Sequence, residues 1–478
     1  MSVSVSALPG ELLLHIFSHL SDPADVCSAS RVCWAWWSLC QEDSLWRRLT
    51  LARLNISTEK VWRPVRSSWV LEHRRLTDEI PSVCSQTLTA HSDEVLHVSF
   101  SHGGTEVITC SKDGTFIVWE VGPGNNLVLR QHHDMTPYGW IYTWSARYNS
   151  SDTLVLVAGV VDDLDGKIAV FQRSGGSLSL ISHTDNSPYD VMGSWCGETS
   201  WLCGDMSTDN NDTNINLCRA QPGTIEPHCN LVLKFRQEYY EDPGFTRNYL
   251  RCLHVSSTVP DLGARRERKE DQVVEQRPHP ALGDSLESAV CLIFLCSDLT
   301  TAPHQLGFKI ISRDNLAAVP VISRPDRVID MMGHIVGLTM DRQSRHLFVN
   351  VRCWPEGCRP HPEYPPPIAR EIETRVVDLA TLAVSDLQYR GHKGFTDSME
   401  AFYIYLDTSD QLLCSGSEDG LGYIWERQYG CQLATLRHQD VVNCAAINPR
   451  DPEMVVTVSD DQTIKVWLSK QRQRKQKR

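Results

Sequence analysis

The chain has 478 residues, a formal net charge of -13, a pI near 5.8 and 17 cysteines. That length is too great for one compact core unless repeated units bury surface against their neighbours, and the acidic balance argues against a body that neutralises nucleic-acid phosphates. No run reaches the roughly 18 apolar residues of a membrane span, and an odd number of scattered cysteines is the usage of free thiols in a reducing compartment. The N-terminus has no basic lead, and Glu11 and His15 interrupt its apolar stretch. A soluble, unexported, cytoplasmic chain is expected, with no glycan on Asn55 or Asn149.

Residues 8–49 read as a helical head. Pro9 is placed at the first position of a helix in which Leu12, Leu13, Ile16, Phe17 and Leu20 recur at helical spacing. Asp22 and Pro23 read as cap and first position of a second helix carrying Val26 and Ala29. Val32, Cys33, Trp36, Trp37 and Leu39 continue the pattern into a third, and Ser44 is placed as the cap of a fourth turn with Leu45 and Trp46. So small a unit cannot hide this many Leu, Ile and Trp side chains by itself. The surplus apolar surface is expected to be a docking face.

Leu8-Pro9, Glu11-Leu12-Leu13, Ile16-Phe17, Leu20, Asp25, Val32-Cys33, Trp36, Leu39 and Leu45-Trp46-Arg47 resemble the F-box motif. The resemblance implies binding to the Skp adaptor of a Skp-cullin-F-box ubiquitin ligase, a cullin-RING ligase, with Leu8, Pro9, Leu12, Leu13, Ile16, Leu20 and Val26 as contacts. The plainer alternative is a helical bundle that packs only on its own body.

Residues 50–81, with Trp62, Trp69 and Leu76 at seven-residue intervals, read as a helical linker. Beyond them one internal ruler recurs. Asp113 precedes Trp119 by six residues, as Asp419 precedes Trp425 and Asp461 precedes Trp467. Thr109, Ser415 and Thr457 stand four residues before each Asp, and His91, His392 and His438 stand 22, 27 and 23 before it. These segments resemble WD repeats, and the resemblance implies that His, Ser/Thr, Asp and Trp form a hydrogen-bonded chain fixing each four-stranded blade. Asp165 and Phe171 keep the ruler with Phe for Trp, and 154–161 and 167–171 read as strands.

Weaker copies complete seven blades, over 91–130, 131–182, 188–220, 228–311, 327–386, 392–436 and 438–467. The last copy runs out soon after Trp467, so the strand-like run 82–88 is expected to complete it and remove an exposed edge. The fold class is thus an all-β seven-bladed WD-repeat propeller (82–470) preceded by a small all-α F-box domain (1–49) and a helical linker (50–81). Residues 256–288, poor in apolar side chains, read as a disordered insertion in the fourth blade. The basic run 471–478 reads as a solvated end, with nuclear import as its other use.

Pro188-Tyr189-Asp190-Val191, Val328-Ile329-Asp330 and Pro365-Pro366-Pro367-Ile368-Ala369 extend the likeness to F-box/WD-repeat proteins over nearly the whole length. The resemblance implies a non-catalytic substrate receptor, which could also serve a cullin-4 ligase through its damaged-DNA-binding adaptor. That second role goes with Trp-Asp-x-Arg at a blade end, whereas Trp425-Glu426-Arg427 has Glu for Asp and its Arg one place early. On the face that propellers use for partners, Lys112, Arg390, Arg437, Glu418, Asp440 and Asp460 are expected. Their signs are mixed, without the Arg cluster that reads phosphate by bidentate forks, so an unphosphorylated protein surface is the expected substrate.

Other chemistry finds little support. Cys353, Cys358 and His361 lack a fourth zinc ligand at matching spacing, and Cys291 and Cys296, five apart on one strand, point to opposite faces. His132-His133-Asp134 falls at a blade boundary. No phosphate loop, nucleophile elbow or HExxH is present, so no cofactor or metal is expected. The rival to a ligase receptor is a WD-repeat scaffold without ubiquitin transfer.

Overall fold

The computed structural model describes residues 8–56, 63–161, 165–187, 193–206, 213–235, 251–260, 289–297, 303–312, 324–358, 366–397 and 402–476. Trp62, His361, Pro188-Tyr189-Asp190-Val191 and the insertion from 261 to 288 lie outside them.

Four short helices build the head, α1 (Gly10–Phe17), α2 (Pro23–Ala29), α3 (Trp34–Leu39) and α4 (Asp43–Arg53). Asp22 caps α2 by accepting from the Ala24 amide at 2.9 Å, with Pro23 at the first position. Two other expected caps move by a residue or two. Pro9 stands at the cap position of α1 rather than inside it, and Glu42, not Ser44, precedes α4. Leu13, Phe17 and Val26 meet Leu45, Trp46 and Leu49 in one small core. The linker contributes α5 (Trp69–Thr77), capped by the Ser68 hydroxyl. Trp69 closes the head core, while Ile80, just beyond α5, joins a cluster with Leu412 and Trp467 of the body.

Seven four-stranded antiparallel sheets follow among the described residues. Six are simple meanders spanning 95–134, 142–186, 194–235, 251–330, 333–389 and 406–437. The seventh takes three strands from 442–469 and its outer strand, Pro81–Leu88, from the front of the chain, with Cys84 opposite Trp467. The ring is thereby closed by its first strand, which covers the edge that Ile464–Ser469 would otherwise present. Apolar clusters fill the spaces between blades, such as Phe116 of blade one edge-on to Phe171 of blade two at 5.0 Å.

Four expectations are corrected. His228–Phe235 pairs with Thr213–Arg219 and completes blade three, and Arg327–Asp330 pairs with Gln305–Ser312 and completes blade four. Both are outer strands whose blades lack the ruler, so apolar pattern alone could not say which neighbour they join. The basic end is a helix, α6 (Lys470–Gln476), because Arg472 pairs with Asp451 at 2.8 Å and the Gln471 amide donates to the Asp78 carbonyl. Not every thiol is free. Register sets Cys218 directly opposite Cys229, the two form a disulfide, and Cys203 Sγ lies 3.4 Å from Cys218 Sγ.

The third tetrad does not form. In blade one, His91 bonds Thr109 Oγ1 at 2.9 Å and Asp113 at 3.0 Å while Trp119 Nε1 donates to Thr109 at 3.0 Å. His438, Thr457, Asp461 and Trp467 repeat this at 2.7, 3.0 and 2.7 Å. In blade six, Trp425 Nε1 donates instead to the Arg390 carbonyl, Tyr423 donates to Asp419, and His392 Nε2 faces Asn350 Oδ1 at 3.2 Å. Asp113 and Asp461 each bond the hydroxyl two residues on, Thr115 and Thr463, whereas Leu421 stands at that place. The longer His392–Asp419 spacing is the sequence trace of this change.

Thr457→Val strands both His438 and Trp467 and is expected to cost about 2–4 kcal/mol in urea unfolding, against about 1 kcal/mol for Ser415→Ala, which leaves Trp425 bonded. Equal losses for the two variants would refute this assignment.

Candidate docking faces and the joint between them

The head turns part of its apolar surface outward. Leu12 and Ile16 on α1 are 51% and 48% exposed, and on and beside α3 Val32, Trp34 and Trp37 are 63%, 78% and 48% exposed. The two helices touch where Phe17 meets Trp36 edge-on at 5.0 Å. Of the seven expected adaptor contacts, Pro9, Leu12 and Ile16 are exposed, Leu8 and Leu20 are half-buried, and Leu13 and Val26 lie in the core. Trp34 was not singled out from the sequence. Its signal was available, since a six-residue helix carrying three Trp cannot turn them all inward.

A buried charge network fastens this head to the ring. Arg75 of α5 donates to Glu72 at 2.6 Å and to Glu426 of blade six at 3.0 Å, and all three are essentially without solvent. The Tyr429 hydroxyl donates to Glu72 at 2.9 Å, its amide to Glu426 at 2.6 Å, and the Arg66 amide to Glu72 at 3.0 Å. Burial opposes charge on Glu72, yet its bonds to the Arg75 guanidinium hold the carboxyl below its ordinary range. One cation thus serves two carboxylates, with phenol and amide donors satisfying the rest. On the head side, His73 packs on Trp46 at 5.0 Å and its Nδ1 lies 2.9 Å from the Thr50 hydroxyl. Burial, aided by the nearby Arg53 charge, lowers His73 to about 4.

The joint also accounts for the unusual blade end. Glu426 is the carboxylate of the network, while Arg427 turns to Asp341 at 3.2 Å, to the Ser409 carbonyl at 2.6 Å and over the Phe348 ring. Both side chains of the imperfect Trp-Asp-x-Arg element are engaged internally.

Within each blade the turn after the first strand and the turn after the third lie on one face of the ring. Gln411 and Tyr429 occupy such turns and receive the head. Lys112, Glu418 and Asp460 lie on turns between second and third strands, Arg390 and Asp440 on connections between blades, and Arg437 at the end of the outer strand that runs into one of those connections. All six therefore sit on the face opposite the head. Lys112 is paired with Glu94 and Arg390 with Glu373, and Asp460, bonded to Asn443, is raised to about 6 by burial and the adjoining Glu94 and Asp440 charges. Glu418 Oε2 accepts from the Phe395 and Thr396 amides and holds Phe395 outward, 51% exposed.

The remaining candidates occupy structural places. Cys353 lies against Glu373 and Arg375, with burial pushing its thiol up to about 11. Cys291 and Cys296 fall in different apolar clusters, and His133 stacks on Phe116 at 4.6 Å. Among the described residues no three His, Cys, Asp or Glu side chains are arranged to hold a metal ion.

A helical head with an outward apolar face, fixed beneath a closed seven-bladed ring, defines an F-box protein carrying a WD-repeat propeller. The F-box-like family model matches residues 5–52, and the WD domain, G-beta repeat model matches 82–120 and 430–467. The human F-box/WD repeat-containing protein 5 is 34% identical over 97% of this chain and 94% of its own length, and the mouse protein is 33% identical over 97% and 93%. The WD repeat-containing protein WDS homolog of Arabidopsis thaliana is 24% identical over 82% of the chain and 58% of its own length. The chain belongs to the F-box/WD repeat-containing protein 5 family.

Arg75→Ala leaves two buried carboxylates without their cation and is expected to destabilise the joint by about 3–5 kcal/mol, read as a lowered urea midpoint in pulse proteolysis. An unchanged midpoint would refute the network. Because folded His73 titrates near 4 and unfolded His near 6.5, its contribution is complete above about pH 6.5 and declines by about 1.4 kcal/mol per pH unit on acidification toward pH 4. His73→Phe is expected to flatten the part of the pH dependence that belongs to the joint, and a variant as acid-sensitive as the native chain would contradict it.

Proposed function

We propose that the chain is the substrate-recognition subunit of a Skp-cullin-F-box E3 ubiquitin ligase. In this reading the head docks on the Skp adaptor, the propeller presents protein substrates for ubiquitination and proteasomal degradation, and the chain itself catalyses nothing. Cytoplasmic work fits it, with the nucleus as a second place. The observation that carries the reading is the outward set Leu12, Ile16, Trp34 and Trp37 on an F-box-like head held on the face opposite an open propeller surface. An exposed apolar patch of that size on a small helical unit calls for a protein partner.

Within this proposal, substrates are bound through an unphosphorylated surface, since Arg390 and Lys112 on the open face already have carboxylate partners. A route through the damaged-DNA-binding adaptor of cullin-4 ligases has weaker support, because Glu426 and Arg427 are engaged inside the chain.

Affinity purification read by mass spectrometry separates this from a scaffold. Leu12→Glu with Trp37→Ala is expected to abolish recovery of Skp and cullin subunits, at least tenfold, while the melting temperature stays within a few degrees and propeller partners are retained. Leu13→Ala, a core truncation, is expected to lower stability by about 2–5 kcal/mol. Undiminished recovery of cullin with the double variant, or none with the native chain, would leave the scaffold as the better account.

A further inference from the structure

The open face carries a small pocket where blade one hands over to blade two. Met135, Trp140, Ala169 and Leu180 line it together with Tyr138, Lys167 and His183, around a cavity of about 50 Å³. A water needs roughly 10–15 Å³ on the same measure, so the space is of the order of a few water-sized groups and suits a small apolar side chain. The loop that builds it is held in one shape. Asp134 accepts from the Thr136 amide at 2.9 Å and its hydroxyl at 2.7 Å, one 3-10 turn runs over Thr136–Tyr138, and Gly139 takes a left-handed φ of 83°. Trp140 can lie beneath because Gly159 has no Cβ, which would stand 2.0 Å from the indole.

This ordered loop leaves Tyr138 and Ile141 each 54% exposed, which is unfavourable for side chains with no partner. Among the described residues the carboxylate paired with Lys167 is Asp185, at 4.0 Å, whose own side chain is 88% exposed. Such a pair is worth little and is readily exchanged. A mostly apolar socket lined also by the Lys167 ammonium and the His183 imidazole matches an aliphatic side chain next to a carboxylate.

We propose that this pocket is a specificity site for protein substrates, taking an aliphatic residue of an extended segment while a neighbouring Asp or Glu pairs with Lys167. The inference rests on the receptor reading for its biological meaning, though peptide binding can be tested without it.

The probes are the acetylated, amidated tripeptides Glu-Leu-Glu and Lys-Leu-Lys, titrated into the full chain while the Met135 methyl resonance is followed by NMR. Glu-Leu-Glu is expected to move it saturably and to bind at least fivefold tighter than Lys-Leu-Lys. Lys167→Glu reverses that order, and Tyr138→Ala weakens both peptides severalfold. A Met135 signal that neither peptide moves, or equal affinities that Lys167→Glu does not change, overturns the proposal. Recovery of the Skp adaptor with the Lys167→Glu chain serves as the separate control. Selective peptide binding by a chain that recovers no adaptor would uphold the pocket and reject the ligase role.

Discussion

The placement of everything else depends on one buried cation shared by two carboxylates. Arg75 joins Glu72, on its own helix, to Glu426, on blade six, out of reach of water. Buried ion pairs add little net stability compared with apolar packing, but losing one member is costly, because the other charge is left in a poor solvent. Such a device favours one geometry over its neighbours. Here it decides which face of the ring meets the head, since Gln411 and Tyr429 belong to turns of a single face and Glu426 ends the strand that runs into one of them.

The rest of the ring works within that constraint. The strand that leaves α5 completes the last blade, so the linker is tied to the propeller twice, through the charge network and through the closing strand. α6 adds a third tie, its Gln471 amide on the Asp78 carbonyl. A receptor in a ligase holds its substrate at a set distance from the ubiquitin donor, which a hinged linker could not do. Three ties along one short segment give that stiffness a physical origin, and they leave the far face, with Phe395, Tyr138 and the pocket it lines, open to a partner.

Much of this was legible in the sequence where several residues had to agree at once. The Asp-to-Trp ruler located three blades because four linked positions recurred, and a missing outer strand at the end matched a spare one at the front. Where only apolar pattern was available, blade borders slipped, as with His228–Phe235 and Arg327–Asp330, because an outer strand looks alike whichever neighbour it joins. The head was readable as helices but not as faces. Leu13 and Val26 fill its core while Trp34 faces outward, a sorting that depends on how short helices cross rather than on spacing within them. Glu426 was seen only as a departure from a motif. Its role needs Arg75, some 350 residues away in the chain, and no local rule connects the two.

The central claim is that head and ring form one rigid unit set by the Arg75 network. Double electron–electron resonance between non-cysteine spin labels at Gln41 on the head and Gln439 on the open face would test it most directly. The account predicts a single narrow distance distribution in the native chain that broadens in Glu426→Ala. A broad or multiple distribution in the native chain would contradict it.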